Sequence, residues 1–216
     1  MAVTRRQVLI CASCAAALPL TACDRKTQWH EQDISGDLPT LAFTMTDAAT
    51  DKPVTAADFR GKVTLLYFGY TQCPDFCPTT LTNLAAVLRN LGSHADQVRI
   101  LFVTVDPNRD SLTTLKTYVS LFAPQMVGLR GTPDELAALA RRYRVAFSVT
   151  PAENGHAYTV THSSIVYVFD QDGNVRLLVD SMATQKPDIA GTTADLRTLI
   201  TQHQSPGLLE RIDRMV

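Results

Sequence analysis

The chain has 216 residues, of which 45% are hydrophobic and 19% are charged, and its formal net charge is -1 at pH 7. A chain of this size and composition is predicted to form one domain with a sizeable hydrophobic core. The near-zero charge and the lack of a basic stripe argue against a nucleic-acid-binding protein, so we expect no nucleic acid among its partners.

The N-terminus has the pattern of an export signal. Arg5 and Arg6 precede an uncharged apolar run over residues 8–20. This run has about the length of a signal-peptide core and is too short to span a bilayer as a helix. It is followed by Leu-Thr-Ala-Cys ending at Cys23, which resembles the lipobox of bacterial lipoproteins. The resemblance implies that residues 1–22 are a signal peptide and that Cys23 becomes lipidated.

Two alternatives stay open for this segment. An ordinary signal peptide whose cleavage site falls near a cysteine would leave Cys23 without a lipid, and the paired arginines also fit a twin-arginine export signal. Cys11 and Cys14 form a Cys-x-x-Cys pattern, but they lie inside the apolar run and are not expected to function in the mature protein. The predicted location is the periplasmic, outer face of the bacterial cytoplasmic membrane, with a lipid anchor.

The mature chain is predicted to have three parts. Residues 23–37 are polar, lack apolar periodicity and are interpreted as the lipidated N-terminus and a tether. Residues 38–204 are predicted to form the folded domain, and residues 205–216 a C-terminal tail. The domain is expected to open with a β-hairpin, because strand-like residues 38–45 are followed by a turn-rich segment and a second extended run.

Strands and helices alternate through the middle of the domain. Residues 63–68 are continuously apolar and predict a strand buried on both faces, followed by a helix ending near Gly92. Residues 98–105 predict a second buried strand. Ser111 and Thr132 are suited to cap the two helices that follow, with a short strand between them.

The last third of the domain is predicted to change pattern. Residues 146–161 were expected to be irregular, residues 163–179 to form a hairpin, and residues 186–202 to form a closing amphipathic helix. Parallel crossovers followed by an antiparallel pair are typical of an α/β, thioredoxin-like fold. We therefore expect a central mixed sheet flanked by helices, with an N-terminal β-hairpin and a late β-hairpin insertion.

Two cysteines remain in the predicted domain, and both lie where an α/β sheet places its functional site. Cys73 and Cys77 stand between the apolar strand and the helix after it, and sites of open α/β sheets lie at the carboxyl ends of the strands. A helix N-terminus also favours a thiolate. The position suits redox chemistry or soft-metal binding, with a structural disulfide as the alternative. Asp106 and His162 are candidates to converge there.

Three sequence motifs resemble the Sco/SenC family. They are Phe-Gly-Tyr-Thr-Gln-Cys-Pro-Asp-Phe-Cys-Pro at residues 68–78, Asp-Pro-Asn-Arg-Asp-Ser at 106–111 and Thr-His-Ser-Ser at 161–164. The resemblance extends over about residues 38–203. It implies a membrane-anchored, thioredoxin-like copper protein that takes part in maturing the CuA site of cytochrome c oxidase.

The resemblance also implies roles for particular residues. Cys73 and Cys77 match the paired copper-binding thiols, and His162 matches the third ligand. Asp106 matches an aspartate close to the site that is not itself a ligand, which places it in the second shell. His156 is the main competitor for the histidine position. Two cysteines and an imidazole suit Cu(I), and Cu(II) can use the same set with an added ligand, whereas a structural zinc site would need a fourth protein ligand.

Two departures from the family pattern concern the surroundings of the predicted ligands. Thr161 stands before the histidine where many relatives carry Asp, and Ser111 replaces a common Thr. Neither is a predicted ligand, so they bear on how the imidazole is oriented rather than on whether copper binds. Asp110 and Arg109 are most simply explained as turn and loop residues.

Three functions compete. The first is a copper metallochaperone that delivers copper to subunit II of cytochrome c oxidase or to another exported cuproprotein, and receives it from a periplasmic copper donor. The second is a thiol–disulfide oxidoreductase, served by a thiol reductant, that reduces the copper-binding cysteines of that target. The third, a thiol peroxidase, is disfavoured because Thr71 lies two residues before Cys73 rather than three. Enzymatic turnover is expected only in the second and third.

Overall fold

The computed structural model describes residues 27–151 and 158–204. The predicted signal peptide, the lipidation site Cys23, the competing His156 and the tail at 205–216 lie outside the described residues. Within the described residues, no helix is both long enough and apolar enough to cross a membrane.

The secondary structure follows the predicted alternation. The strands are β1 (Gln32–Asp33), β2 (Thr44–Asp47), β3 (Lys52–Thr55), β4 (Val63–Gly69), β5 (Val98–Thr104), β6 (Met126–Arg130), β7 (Phe147–Thr150), β8 (Thr159–His162), β9 (Val166–Phe169) and β10 (Val175–Val179). The helices are α1 (Phe76–Leu91), α2 (Leu112–Ser120), α3 (Pro133–Arg142) and α4 (Ile189–Gln204).

Eight of these strands form one mixed sheet in the order β1-β10-β9-β4-β5-β6-β2-β3. Strands β4, β5 and β6 are parallel to one another, and β9 joins β4 antiparallel. Every residue of β4 is buried, as the continuous apolar run predicted. Helices α1 and α4 contact each other, and α2 packs against β6. The predicted thioredoxin-like arrangement of a mixed sheet with flanking helices is confirmed.

Two short elements lie where no regular structure was predicted. Strand β1, within the segment interpreted as a tether, pairs antiparallel with β10. Strands β7 and β8, within the segment expected to be irregular, pair as a separate hairpin in which Phe147 lies opposite His162. Most side chains of β7 and β8 are exposed or half-buried. The alternation of apolar and polar residues that identifies a half-buried strand is therefore weak there.

The predicted helix caps are confirmed. The Ser111 hydroxyl accepts a hydrogen bond from the Thr114 amide at 3.1 Å, and Thr132 forms a capping box with Glu135 at the start of α3. Helix α1 begins at Phe76, and Pro78 is its third residue. Cys77 therefore lies in the first turn of α1, at the carboxyl end of β4.

Gly69 allows this close approach of helix and strand. A Cβ atom added at Gly69 would lie 2.5 Å from the Phe102 ring and 2.7 Å from Sγ of Cys77. Any larger residue would have to displace one of these two groups, and both are fully enclosed. The last residue of β4 thus fixes how near the Cys77 sulfur lies to the sheet.

Candidate metal centre

Side chains from three separate elements meet at the carboxyl end of β4. Cys73 comes from the loop after β4, Cys77 from the first turn of α1, and His162 from the end of β8. Their ligand atoms all lie within 4.8 Å of one another. The Cys77 Sγ and the His162 Nε2 are 3.2 Å apart. Cys77 is completely buried, Cys73 is 8% exposed and His162 is half-buried, so the cluster opens to solvent on the side of Cys73 and His162.

The imidazole of His162 is oriented for metal binding by its other nitrogen. Nδ1 lies 2.9 Å from the carbonyl oxygen of Ser163 and donates a hydrogen bond to it. The proton therefore resides on Nδ1, and the lone pair of Nε2 faces the Cys77 sulfur. The Tyr70 ring packs edge-on against the imidazole, with centroids 5.7 Å apart. This is the tautomer and the direction that a metal ligand needs.

The two thiols are chemically unequal. Both cysteines are free in the structure. The neighbouring Cys77 thiol, together with backbone N–H groups, lowers the pKa of Cys73. The Cys73 sulfur and burial raise the pKa of Cys77. At neutral pH the pair is thus one thiolate beside one thiol, so that a soft metal would displace a single proton on binding both sulfurs.

The cysteine loop is held in place by Asp110, a residue that the sequence had suggested was an ordinary turn position. Its completely buried carboxylate accepts hydrogen bonds from the Thr71 amide at 3.0 Å and from the Thr71 hydroxyl at 2.6 Å. It also accepts one from the Thr104 hydroxyl at 2.6 Å. Asp110 therefore joins the loop that carries Cys73 to the end of strand β5.

Asp106 lies in a neighbouring cluster rather than among the three ligand atoms. Its carboxylate accepts a hydrogen bond from the Tyr158 hydroxyl at 2.7 Å and pairs with the Arg109 guanidinium. Arg109 also donates to the Tyr158 carbonyl at 3.2 Å and covers the Tyr158 ring at 3.9 Å. Tyr158 immediately precedes β8, the strand that ends in His162. The contacts of Asp106 and Arg109 thus tie the ligand-bearing hairpin to the end of β5.

Tyr158 was not predicted from the sequence, and Arg109 and Asp110 were interpreted only as loop and turn residues. The Asp-Pro-Asn-Arg-Asp motif was visible, but nothing in the sequence shows that Asp110 is buried. Tyr158 lies in a stretch without a clear pattern. Its role follows only from the pairing of β7 with β8, which brings its hydroxyl to Asp106.

The sheet order and this cluster define a class of protein: a thioredoxin-like domain with two cysteines and a histidine at the end of its central parallel strand. A family model described as SCO1/SenC matches residues 32–200. The chain therefore belongs to the SCO1/SenC family, as the three motifs indicated.

Relatives of known identity agree with this assignment. The mouse mitochondrial protein SCO2 homolog is 37% identical over 178 residues, which cover 78% of this chain and 70% of the mouse protein. The yeast (Saccharomyces cerevisiae) mitochondrial protein SCO1 is 41% identical over 121 residues, or 55% of this chain and 41% of the yeast protein. The matches to bovine SCO2 and mouse SCO1 homologs span 45% and 51% of those proteins, so this chain covers about half of their length.

Solved structures show the same fold. The structure of Bradyrhizobium japonicum ScoI with copper bound is 38% identical and superposes with a TM-score of 0.66 over 74% of this chain and 98% of that chain. Yeast Sco1 with copper bound is 33% identical, with a TM-score of 0.63 over 80% of this chain and 93% of that chain.

Replacing Asp110 by Asn should destabilise the domain. The substitution replaces a fully buried carboxylate, which accepts three hydrogen bonds, by a neutral amide. We therefore expect the free energy of unfolding to fall by about 2–4 kcal/mol. Urea unfolding of both proteins measures this loss. The matched control is Asp172→Asn, at an exposed carboxylate, for which a change within about 0.5 kcal/mol is expected. Equal unfolding midpoints for the two variants would contradict the anchoring role.

Replacing Tyr158 by Phe should weaken metal binding through His162. Loss of the hydroxyl frees the hairpin from Asp106, and copper affinity is expected to fall about tenfold. In a His162→Ala background the same substitution should change affinity less than about twofold, because the ligand it positions is gone. Competition with a chelator measures both steps. Tyr143→Phe, which removes a buried hydroxyl bonded to the Thr40 carbonyl, is the control. Equal effects of Tyr158→Phe in both backgrounds would show a general loss of structure.

Of Cys73 and Cys77 in the apo-protein, only Cys73 should react with iodoacetamide. The lowered pKa of Cys73 keeps its thiolate as the pH falls below about 8.5, where an ordinary thiol becomes protonated. Cys77 has a raised pKa and is fully buried, so it should stay unmodified. Mass spectrometry of peptides alkylated between about pH 5 and pH 9 distinguishes the two. Comparable labelling of both residues at low pH would show that the thiols are equivalent.

Proposed function

We propose that this protein is a copper metallochaperone that binds copper through Cys73, Cys77 and His162. The observation that carries the proposal is the convergence of two sulfurs and one imidazole nitrogen within 4.8 Å. Two soft thiolates and a neutral imidazole match the low coordination number and ligand preference of Cu(I). Cu(II) can use the same three ligands with an added water or carboxylate. The copper-bound Bradyrhizobium and yeast relatives support copper as the cargo.

The burial of the ligands suggests how copper is handed over. Cys77 is enclosed, whereas Cys73 and His162 lie at the open side of the cluster. An incoming ligand of a partner therefore reaches copper from that side and displaces His162 or Cys73 before Cys77. Phe76, which is 55% exposed and lies next to Cys77, offers the docking partner an apolar contact. The proposed recipient is subunit II of cytochrome c oxidase, at its CuA centre, or another exported cuproprotein.

The proposed location is the periplasmic face of the cytoplasmic membrane. The Leu-Thr-Ala-Cys sequence before residue 24 supports removal of residues 1–22 and a lipid anchor at Cys23. In that compartment the protein would receive copper from a periplasmic donor, and a thiol reductant would keep the cysteine pair reduced.

A second function is favoured by the lowered pKa of Cys73 and the raised pKa of Cys77. As a thiol–disulfide oxidoreductase, the Cys73 thiolate attacks a disulfide in a copper-free target and forms a mixed disulfide, releasing one target thiolate that takes the proton of Cys77. The Cys77 thiolate then attacks the Cys73 sulfur and releases the second target thiolate. Two electrons pass to the target, and Cys73 and Cys77 become a disulfide. This reaction would prepare the target's cysteines for copper.

A Cu(I) titration tests the metallochaperone proposal. The chain from residue 24 onward, reduced and anaerobic, is titrated against a competing chelator. We expect one tight equivalent of copper, with affinity reduced more than about 100-fold by Cys73→Ser or Cys77→Ser, beyond the loss typical of residues that only orient a ligand. His162→Ala should also weaken binding, whereas His94→Ala, at the opposite end of the domain, should not.

The same variants separate the two functions. Tight binding that is unchanged by His162→Ala would indicate a generic dithiol and favour the oxidoreductase, which needs only the cysteines. Weak or non-stoichiometric binding by the unaltered protein would contradict the metallochaperone proposal.

A further inference from the structure

The two ends of the domain differ in function and in charge. The candidate metal centre lies at one end, where β4 and β5 finish and α1 and α4 begin. The other end contains the starts of the parallel strands and the last turns of the helices. We refer to it as the basic end, because its cations outnumber its carboxylates. The cations are Arg60, Lys62, Arg89, Arg99, Arg141, Arg142, Arg144, Arg176 and Arg197, and the carboxylates are Asp37, Asp58, Asp96, Asp170 and Asp172.

The metal-centre end has the opposite balance. Its carboxylates are Asp75, Asp106, Asp110, Asp134, Glu135, Asp180 and Asp188, and its cations are Arg109, Arg130 and Lys186. Two of these carboxylates, Asp106 and Asp110, are buried, but the others are exposed or half-buried. Near a negatively charged surface, this charge distribution favours an orientation in which the basic end faces that surface and the metal centre faces away from it.

The chain enters the domain at the basic end. The hydroxyl of Thr27 accepts a hydrogen bond from the Gln202 side chain, in the last turn of α4, at 3.1 Å. The buried Asp195 carboxylate then accepts hydrogen bonds from the backbone amides of His30 and Glu31, both at 2.9 Å. These contacts fix the entering segment along α4. Since α4 starts at the metal-centre end with Ile189 and Gln202 lies 13 residues further on, Thr27 lies about 20 Å from that end.

Cys23 precedes Thr27 by four residues. Four residues of fully extended chain reach at most about 14 Å. If the sulfur of Cys23 carries the lipid, Thr27 and the basic end have to remain within this distance of the bilayer. Turning the domain so that the metal-centre end faces the bilayer would break the contacts of Thr27, His30 and Glu31.

From these observations we propose that the basic end docks on anionic lipid headgroups and holds the candidate metal centre facing away from the membrane. The inference rests on the lipid anchor proposed above at Cys23. Beyond that anchor, it assigns a membrane-binding surface to the basic end, where the exposed Arg60 and Arg89 contact phosphate groups of the bilayer. A recipient protein would then approach from the aqueous side.

The experiment uses the full lipidated chain in vesicles of phosphatidylcholine, with or without phosphatidylglycerol. Mass spectrometry of the purified chain first establishes whether Cys23 carries the lipid. Amide hydrogen exchange is then measured for residues 60–62 and 92–97, at the basic end, and for residues 106–110 beside the metal centre. Quenching of Trp29, the only tryptophan, by headgroup-labelled lipid provides a second reading, since Trp29 lies against Arg176 near the start of β10.

We expect exchange at the basic end to slow about fivefold or more on anionic vesicles relative to neutral ones, with no change at residues 106–110. The double variant Arg60→Glu/Arg89→Glu should abolish this difference and reduce the quenching of Trp29. Its control, Lys52→Glu/Lys186→Glu, makes the same charge change at exposed positions elsewhere and should behave as the unaltered chain does. Unfolding midpoints of both variants verify that the fold is kept.

Three results would overturn the inference. Protection of residues 106–110 instead of the basic end would reverse the orientation. Equal exchange on both kinds of vesicle, with a lipidated Cys23, would remove the docking while leaving the anchor in place. An unlipidated Cys23 in the mature chain would overturn the anchor and the docking together, while copper binding in the titration would stand unaffected.

Discussion

The candidate site depends on one buried carboxylate that joins two loops. Asp110 accepts hydrogen bonds from the loop after β4 and from the end of β5, without any contact with solvent. A charge in such a position is tolerated only when its oxygens are fully hydrogen-bonded, and for that reason it fixes its partners strongly. The cysteine loop is short and rich in turn residues, and Tyr70 and Cys73 are its members that pack into the hydrophobic core. Asp110 provides the constraint that places Cys73 opposite Cys77.

The third candidate ligand is held by a separate set of contacts. His162 ends a two-stranded hairpin that is not part of the main sheet, and the strands of that hairpin are largely exposed. Hydrogen bonding and packing between Tyr158, Asp106 and Arg109 connect the hairpin to the end of β5. The three candidate ligands therefore belong to two units: a rigid pair of sulfurs on the sheet and a histidine whose position depends on a polar cluster. This division suits the proposed metallochaperone function, in which a bound metal is released as well as held.

The two proposed functions, metal binding and thiol exchange, use the same cluster because both begin with a thiolate. The neighbouring thiol stabilises negative charge on Cys73, and burial keeps the proton on the enclosed Cys77. Metal binding removes that proton and uses both sulfurs, whereas disulfide exchange uses them in succession. Of the two proposed functions, only metal binding requires the imidazole of His162. Its Nδ1 donates a hydrogen bond to the Ser163 carbonyl, which leaves Nε2 for the metal. The histidine is thus the residue that distinguishes the two chemistries.

The sequence by itself was enough to predict the thioredoxin-like fold, most of the strands and helices, and the family. These features are predicted by local patterns, which can be recognised in the sequence without knowledge of the fold. The patterns are continuous apolar runs, helix caps such as Ser111 and Thr132, and motifs with a defined spacing. Cys73, Cys77 and His162 were named because their motifs are specific, and the structure brings their ligand atoms together.

Tertiary structure alone decided the rest. Four features depend on contacts between residues that are not neighbours in the chain. They are the burial of Asp110, the hydrogen bond between Asp106 and Tyr158, the hairpin of β7 and β8, and the contact of Thr27 with α4. Such contacts leave no periodic pattern, because each is made by a single side chain whose partner is set by the packing of the whole domain rather than by its neighbours in sequence.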